Sequence, residues 1–176
     1  MNSIRSICNS SFRVHHSSFI INKKGKVKIM AIRTAKAGWE GGLTDGKGTM
    51  ALGSGAFEGS FSFNTRMGDE PGTNPEELIG AALAGCYTMA LNATLEKEGS
   101  KPNSVRTDAK VHFGKDAEGF AITRIDLQTE ADIDGIEDAK FQEIAQQVKE
   151  ACPVSKALAG TEITLDAKLT KAQAAG

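Results

Sequence analysis

Two cysteines, an arginine and a glutamate in this 176-residue chain are of the types that redox chemistry uses: Cys86, Cys152, Arg66 and Glu76. A thiol attacks as its thiolate, so each sulfur needs a nearby cation or aligned N–H groups to ionise near neutral pH. Cys86 lies well inside "NPEELIGAALAGCYTMALNATLEKE", Asn74 to Glu98. Mid-helix, it gains nothing from a helix N-terminus and needs a cation from outside its own helix. Cys152 directly precedes Pro153 and "PVSKALAG", at a helix start where free N–H groups favour a thiolate. Two such thiols can be a redox pair, or each can be a small buried hydrophobe; their approach in space is not readable from spacing. Arg66 stands in the polar stretch "FNTRMGDEPGTNPEE", where an arginine is commonly just solvated. Glu76 lies ten residues before Cys86, about 15 Å along an ideal helix, and cannot touch it alone. An arginine held on Glu76 can present the rest of its fork to a thiol, stabilising a thiolate and donating to a peroxide oxygen.

Other chemistries find less support. His112 is the only histidine beyond the first 29 residues and sits in a strand pattern, so a Cys–His hydrolase lacks an evident base. Cys86, Cys152 and His112 show no metal-ligand spacing. "GSGAFEG" at Gly53–Gly59 is neither a Walker loop nor a dinucleotide fingerprint, and Trp39 reads as a packing residue. No metal, haem, flavin or nucleotide cofactor is expected. The net charge of −1 hides an asymmetry: residues 1–29 hold six of the 21 basic residues and none of the 22 acids, leaving a net −7 elsewhere. An acidic domain argues against nucleic-acid binding. Three cysteines, one of them Cys8 near the start, do not make a disulfide framework, and a reducing, cytoplasmic compartment fits two retained thiols. The Ser-rich, acid-free leader has transit-peptide composition, yet Met30 opens "MAIRTAKAGWEG" like a natural start. Residues 1–29, with the adjacent His15 and His16, are therefore expected to be a disordered leader or a misassigned start, 30–170 the domain and 171–176 a tail.

Hydrophobic patterning supplies the frame. Strands are expected near 32–43, 48–53 and 57–63, the first two joined by a hairpin at Asp45-Gly46, where both residues tolerate positive φ. A polar loop should follow at 64–74. Asn74 caps a helix, Pro75 takes its first position, and Glu77 completes a capping box; Gly99 and Pro102 end it. From Leu78 to Leu95 this helix has no charge, long enough for a membrane span. Its many small residues make it only weakly hydrophobic, so a buried central helix covered by sheet or by a partner subunit fits better than lipid. Val105, Thr107, Ala109, Val111 and Phe113 alternate on one strand face, and a second strand runs from Phe120 to Ile133. Phe141, Ile144, Ala145 and Val148 mark a helix over 136–151, and Ile163, Leu165, Ala167 and Leu169 a last strand. The order βββ, helix, ββ, helix, β predicts an α+β domain.

"FNTR…GTNPEELIGAALAGCYTMAL" and "QQVKEACPVSKAL…EITLDAKL", with "GWEG" and "GFAITRIDL", resemble the OsmC family of thiol peroxidases, relatives of the organic hydroperoxide resistance proteins. The resemblance runs from about Ala31 to Leu169 with its motifs in order. It implies an antiparallel-stranded fold with long buried central helices in an intertwined homodimer, its two active sites at the subunit interface. It implies that Cys86 is the peroxidatic cysteine, Cys152 the resolving cysteine, Arg66 the arginine that lowers the thiolate pKa and polarises the peroxide, and Glu76 the glutamate that orients it. It further implies organic hydroperoxide substrates and an external dithiol reductant of lipoyl type. Readings that keep other options are a redox sensor or ligand-binding relative with little turnover, a hydrolase-like relative using Cys86 as acyl nucleophile, and a purely structural dimer.

Overall fold

A computed structural model describes residues 31–170 together with the strands β1 (Ser18–Ile21) and β2 (Val27–Met30). Cys8, His15, His16 and the tail 171–176 lie outside the described residues. β1 and β2 pair antiparallel with each other in a sheet of their own.

β3 (Ala35–Glu40), β4 (Lys47–Leu52) and β5 (Glu58–Phe61) form an antiparallel three-stranded sheet. The β3–β4 hairpin exists where expected, but the positive φ falls on Gly41 (87°) and not on Asp45 or Gly46. Gly46 is needed for a different reason: a Cβ there would run into the carbonyl oxygens of Gly42 and Glu40. Trp39 Nε1 donates to Gly42 O at 3.2 Å and its ring packs on Phe61 with centroids 5.3 Å apart.

The expected loop at 64–74 contains a helix, α1 (Phe63–Met67). Its cause is local and readable: Ser62 Oγ accepts from Thr65 N at 3.1 Å, while Ser62 N donates to Thr65 Oγ1 at 2.9 Å. That reciprocal cap satisfies two backbone donors of so short a turn. Thr65 Oγ1 also donates to Thr73 O at 2.9 Å, which folds the loop back and brings Arg66, in the last turn of α1, towards the start of the next helix.

α2 (Pro75–Lys97) begins at Asn74, whose Oδ1 accepts from Glu77 N at 2.8 Å. Only this half of the expected capping box forms; Glu77 is exposed. The helix ends as the sequence predicts, with Gly99 at φ 85° and Ser100 N donating to Leu95 O at 2.9 Å.

β6 (Ser104–Lys115), β7 (Phe120–Asp132) and β8 (Glu162–Thr170) make a second sheet in that order. β6 and β7 are antiparallel, as expected, but β8 runs parallel to β7. The reason is the helical crossover between them, α3 (Asp138–Ala151) and α4 (Pro153–Ala157), which returns the chain to the same end of the sheet. The core lies between one face of this sheet and the helices. Leu83, Tyr87, Leu91 and Leu95 from α2 meet Ile125, Leu127 and Ala131 from β7, and Phe141, Ile144 and Val148 from α3. A Cβ on Gly80 would stand 3.1 Å from Val111 Cγ2, so glycine lets α2 sit close on β6.

A chain of hydroxyls pins α2 in register. Thr129 Oγ1 donates to Arg106 O (2.9 Å), so it accepts from Thr107 Oγ1 (2.8 Å), which in turn accepts from Thr88 Oγ1 (2.8 Å). Thr129 is 1% exposed. Thr129→Val should orphan its neighbour's proton and cost about 1–3 kcal/mol, read as a lower urea midpoint with an unchanged slope. An unchanged midpoint would show that the network is not holding the helix.

α2 is buried on one side only. Gly80, Leu83, Tyr87, Leu91 and Leu95 face the sheet, whereas Ala81, Ala82, Gly85, Met89 and Ala93 are exposed, Met89 at 72%. The all-round burial expected of this helix is therefore not reached within one chain. By length and composition it also remains a helix that could cross a membrane, but its Leu and Tyr side is packed on protein.

Candidate active site

Pro153 decides where the Cys152 sulfur goes. Proline excludes the helical conformation from its predecessor, so Cys152 adopts φ −55°, ψ 126°. Its N–H still closes α3 on Val148 O at 2.9 Å, and its carbonyl opens α4 by accepting from Lys156 N at 3.0 Å. The kink turns the side chain inward, where it is 1% exposed. Cys86 comes from the middle of α2, half-buried, and the two sulfurs stand 3.1 Å apart, within hydrogen-bond reach of each other. Tyr87 keeps the two helices at this spacing. Its hydroxyl, fully buried, donates to Ala145 O on α3 at 3.2 Å, and burial with the nearby Cys152 sulfur pushes its pKa well above the ordinary value.

The thiols differ in how well they bear charge. Burial, and then the hydrogen bond that the protonated Cys86 thiol gives to the Cys152 sulfur, push Cys86 up, against one favourable contact from the Val154 N–H. Burial opposes ionisation of Cys152 too, but the Ser155 N–H, the Cys86 thiol, the Ser155 hydroxyl and the Val154 N–H outweigh it and bring Cys152 down. Ser155 Oγ is buried and has no partner of ordinary hydrogen-bond geometry; the Cys152 sulfur is the polar group it meets. Within one chain, then, a negative charge is better placed on Cys152, while Cys86 is the more accessible sulfur.

Arg66 and Glu76 form the second half of the constellation. Arg66 Nη2 meets Glu76 Oε1 at 2.7 Å, and Nε bonds Oε1 and Oε2 at 3.2 and 3.3 Å. The Glu76 side chain is 11% exposed and that of Arg66 38%. The structure thus joins Cys86 to Cys152 and Arg66 to Glu76, but it does not join the two pairs. Glu76 opens α2 and Cys86 lies ten residues along it, about 15 Å by helix rise.

His112 is not available as a base. It lies on the outer face of the β6–β7 sheet, where Nε2 bonds Asp126 Oδ2 at 2.7 Å and Arg124 Nη2 stands 3.3 Å away. Neighbouring Val111 points to the opposite, helix-covered face. Thr164, His112 and Arg124 together hold the Asp126 carboxyl down to about 2. Among the described residues no cluster of His, Cys, Asp and Glu is arranged to hold a metal ion. Sequence reading missed Tyr87 and Ser155. The signal for Ser155 was its place two residues after the Cys-Pro kink; Tyr87 is adjacent to Cys86 but looks like any core aromatic.

The family model described as OsmC-like protein matches residues 68–168. The peroxiredoxin OsmC of Escherichia coli (strain K12) is 46% identical over 138 residues, covering 78% of this chain and 96% of that protein. An organic hydroperoxide resistance protein of Xanthomonas axonopodis pv. citri (strain 306) is 31% identical over 96 residues, 53% of this chain and 66% of that one. The crystal structure of an organic hydroperoxide resistance protein from Elizabethkingia anophelis superposes with TM-score 0.63 at 23% identity, over 81% of this chain and 99% of that one. By model, sequence identity and α+β fold, the chain belongs to the OsmC-like family.

Proposed function

We propose that the chain is a thiol-dependent peroxidase that reduces organic hydroperoxides through a Cys86–Cys152 disulfide. A peroxidase-type role follows from the family and from relatives named peroxiredoxin and organic hydroperoxide resistance protein. The observation that carries the cysteine mechanism is the 3.1 Å separation of the two sulfurs. The Cys86 thiolate attacks the peroxide: an S–O bond forms, the O–O bond breaks, and the leaving alkoxide takes up a proton as the alcohol. Cys86 is then a sulfenic acid. The Cys152 thiolate attacks the Cys86 sulfur, forms the S–S bond and expels the oxygen as water after protonation. Closing from 3.1 Å to a disulfide length of about 2.05 Å asks for about 1 Å of movement, with no unfolding of either helix. An external dithiol, of lipoyl type, would return the enzyme to its reduced form in the cytoplasm.

The separation of the Arg66–Glu76 pair from Cys86 supports a homodimer in which a second copy supplies the guanidinium. The exposed small-residue side of α2, with Met89, offers a surface on which a second α2 can approach closely. Ala109, Val111 and Phe113 line the cleft at Arg66 and would hold the alkyl tail of a substrate.

One equivalent of cumene hydroperoxide added to reduced protein, followed by cysteine mapping by mass spectrometry, tests the reading. A rapid Cys86–Cys152 disulfide, formed much faster than with hydrogen peroxide, is the expected result. Thiols that stay free would reduce both cysteines to packing residues.

A further inference from the structure

Arg66 has a further contact besides its hydrogen bonds to Glu76. Its Cζ stands 4.7 Å from the centroid of the Phe113 ring. Phe113 in turn stacks on Phe120, centroids 5.5 Å apart and planes 17° from parallel, and Lys115 Nζ lies 4.9 Å from the Phe120 centroid. The result is a run of cation, ring, ring and cation at the tip of the β6–β7 hairpin.

A bulge builds this stack. Along β7 the inward residues are Ile125, Leu127, Thr129 and Ala131, and strict alternation would next turn Thr123 and Ala121 inward. Instead the register slips between His112 and Phe113: His112 pairs with Arg124, but Phe113 pairs with Ile122. Thr123 is left over and exposed, its hydroxyl donating to His112 O at 3.4 Å. One extra residue reverses the parity, so Ile122 and Phe120 come to the face that carries Phe113. Neither ring belongs to the buried core, and Phe120 is 59% exposed. Core packing therefore does not explain why two aromatic rings are stacked there.

The glutamate clamps one edge of the guanidinium, through Nε and Nη2. Nη1 has no acceptor among the described residues. A two-point clamp along one edge leaves the guanidinium free to swing about that edge. A flat aromatic face removes this freedom, shields one side from water and leaves the full charge in place, because a ring quadrupole attracts a cation without neutralising it.

We propose that Phe113, backed by Phe120, is a positioning residue for Arg66, fixing the plane of its guanidinium so that the unpaired Nη1 edge is presented to the reacting peroxide. This rests on the peroxidase reading of the site, and its test separates the two. Phe113→Leu keeps an apolar side chain but removes the ring face; Phe113→Trp keeps a face. Cumene hydroperoxide turnover with a dithiol, the pH profile of Cys86 alkylation, and the Arg66 Hε resonance are measured in all three proteins. The leucine variant is expected to lose about fivefold in kcat/KM, to shift its alkylation profile upward in pH, and to lose the upfield ring-current shift of Arg66 Hε. The tryptophan variant is expected to recover all three, with urea midpoints alike throughout. A folded leucine variant with wild-type kcat/KM, pH profile or Hε shift overturns the positioning role while leaving the peroxidase reading intact. A wild-type protein without peroxidase turnover, but with an Hε shift that only leucine abolishes, retains the positioning contact and overturns the peroxidase reading.

Discussion

Cys86→Ser is expected to abolish consumption of organic hydroperoxides, a loss on the order of 10³-fold or more, as for removal of a nucleophile that acts as part of a unit. A serine hydroxyl does not ionise near neutral pH, and among the described residues no other thiol is placed to take over the attack. Cys152 lies 3.1 Å away but is only 1% exposed, whereas Cys86 is half-buried. Its lowered pKa suits it to a later task. In the proposed mechanism the resolving step needs a Cys152 thiolate aimed at the Cys86 sulfur, and the first N–H groups of α4 and the Ser155 hydroxyl favour that anion. Turnover measured with a dithiol and cumene hydroperoxide decides the matter: a serine variant with full activity would remove Cys86 from the mechanism.

Arg66→Ala is expected to be almost as damaging, about 10²-fold at neutral pH. Burial and the hydrogen bond given to Cys152 already push Cys86 upward, and its own chain pairs Arg66 with Glu76, so in the proposed mechanism the thiolate depends on a cation from a second copy. An opposite charge nearby typically lowers a pKa by one to three units. Removing it raises the Cys86 pKa, so the thiolate fraction at pH 7 falls and the alkylation-rate midpoint moves to higher pH. Activity should accordingly be partly regained as the pH is raised. An alkylation profile identical to that of the wild type would contradict the role. Arg66→Lys should recover little, because a point charge cannot bond Glu76 with one edge and a peroxide with the other. Co-expression with Cys86→Ser adds a topological test. If the guanidinium comes from a second copy, each mixed dimer of two inactive variants contains one intact site and regains turnover. Recovery absent from a demonstrated mixed dimer would place Arg66 and Cys86 in the same chain's site, against the separation of the two pairs along α2.

The elements were largely legible because their signals are local. Asn74-Pro75 and Gly99 mark the ends of α2, and alternation along Val105–Phe113 marks β6, whatever the rest of the chain does. The short helix α1 was equally local, yet its Ser62–Thr65 cap was hidden in a stretch that reads as polar loop. The parallel pairing of β8 was not legible, since strand direction depends on where the α3–α4 crossover returns the chain. Nor was the bulge at Thr123, which turns Phe120 onto the face of Phe113.

For the candidate site the division is sharper. The sequence by itself determined which residues can act: two thiols without a metal spacing, an arginine ahead of a capped helix, a glutamate in its first turn, and a proline that must bend the chain at Cys152. Motif order was enough to identify the family. Only the tertiary structure decided who meets whom. Residues 66 apart in the chain bring their sulfurs to 3.1 Å because α2 and α3 pack on one sheet face and Tyr87 ties them together. Glu76 and Cys86 share a helix yet stay about 15 Å apart, because a helix is rigid and rises 1.5 Å per residue. Distance along the chain is a poor guide to contact in both directions.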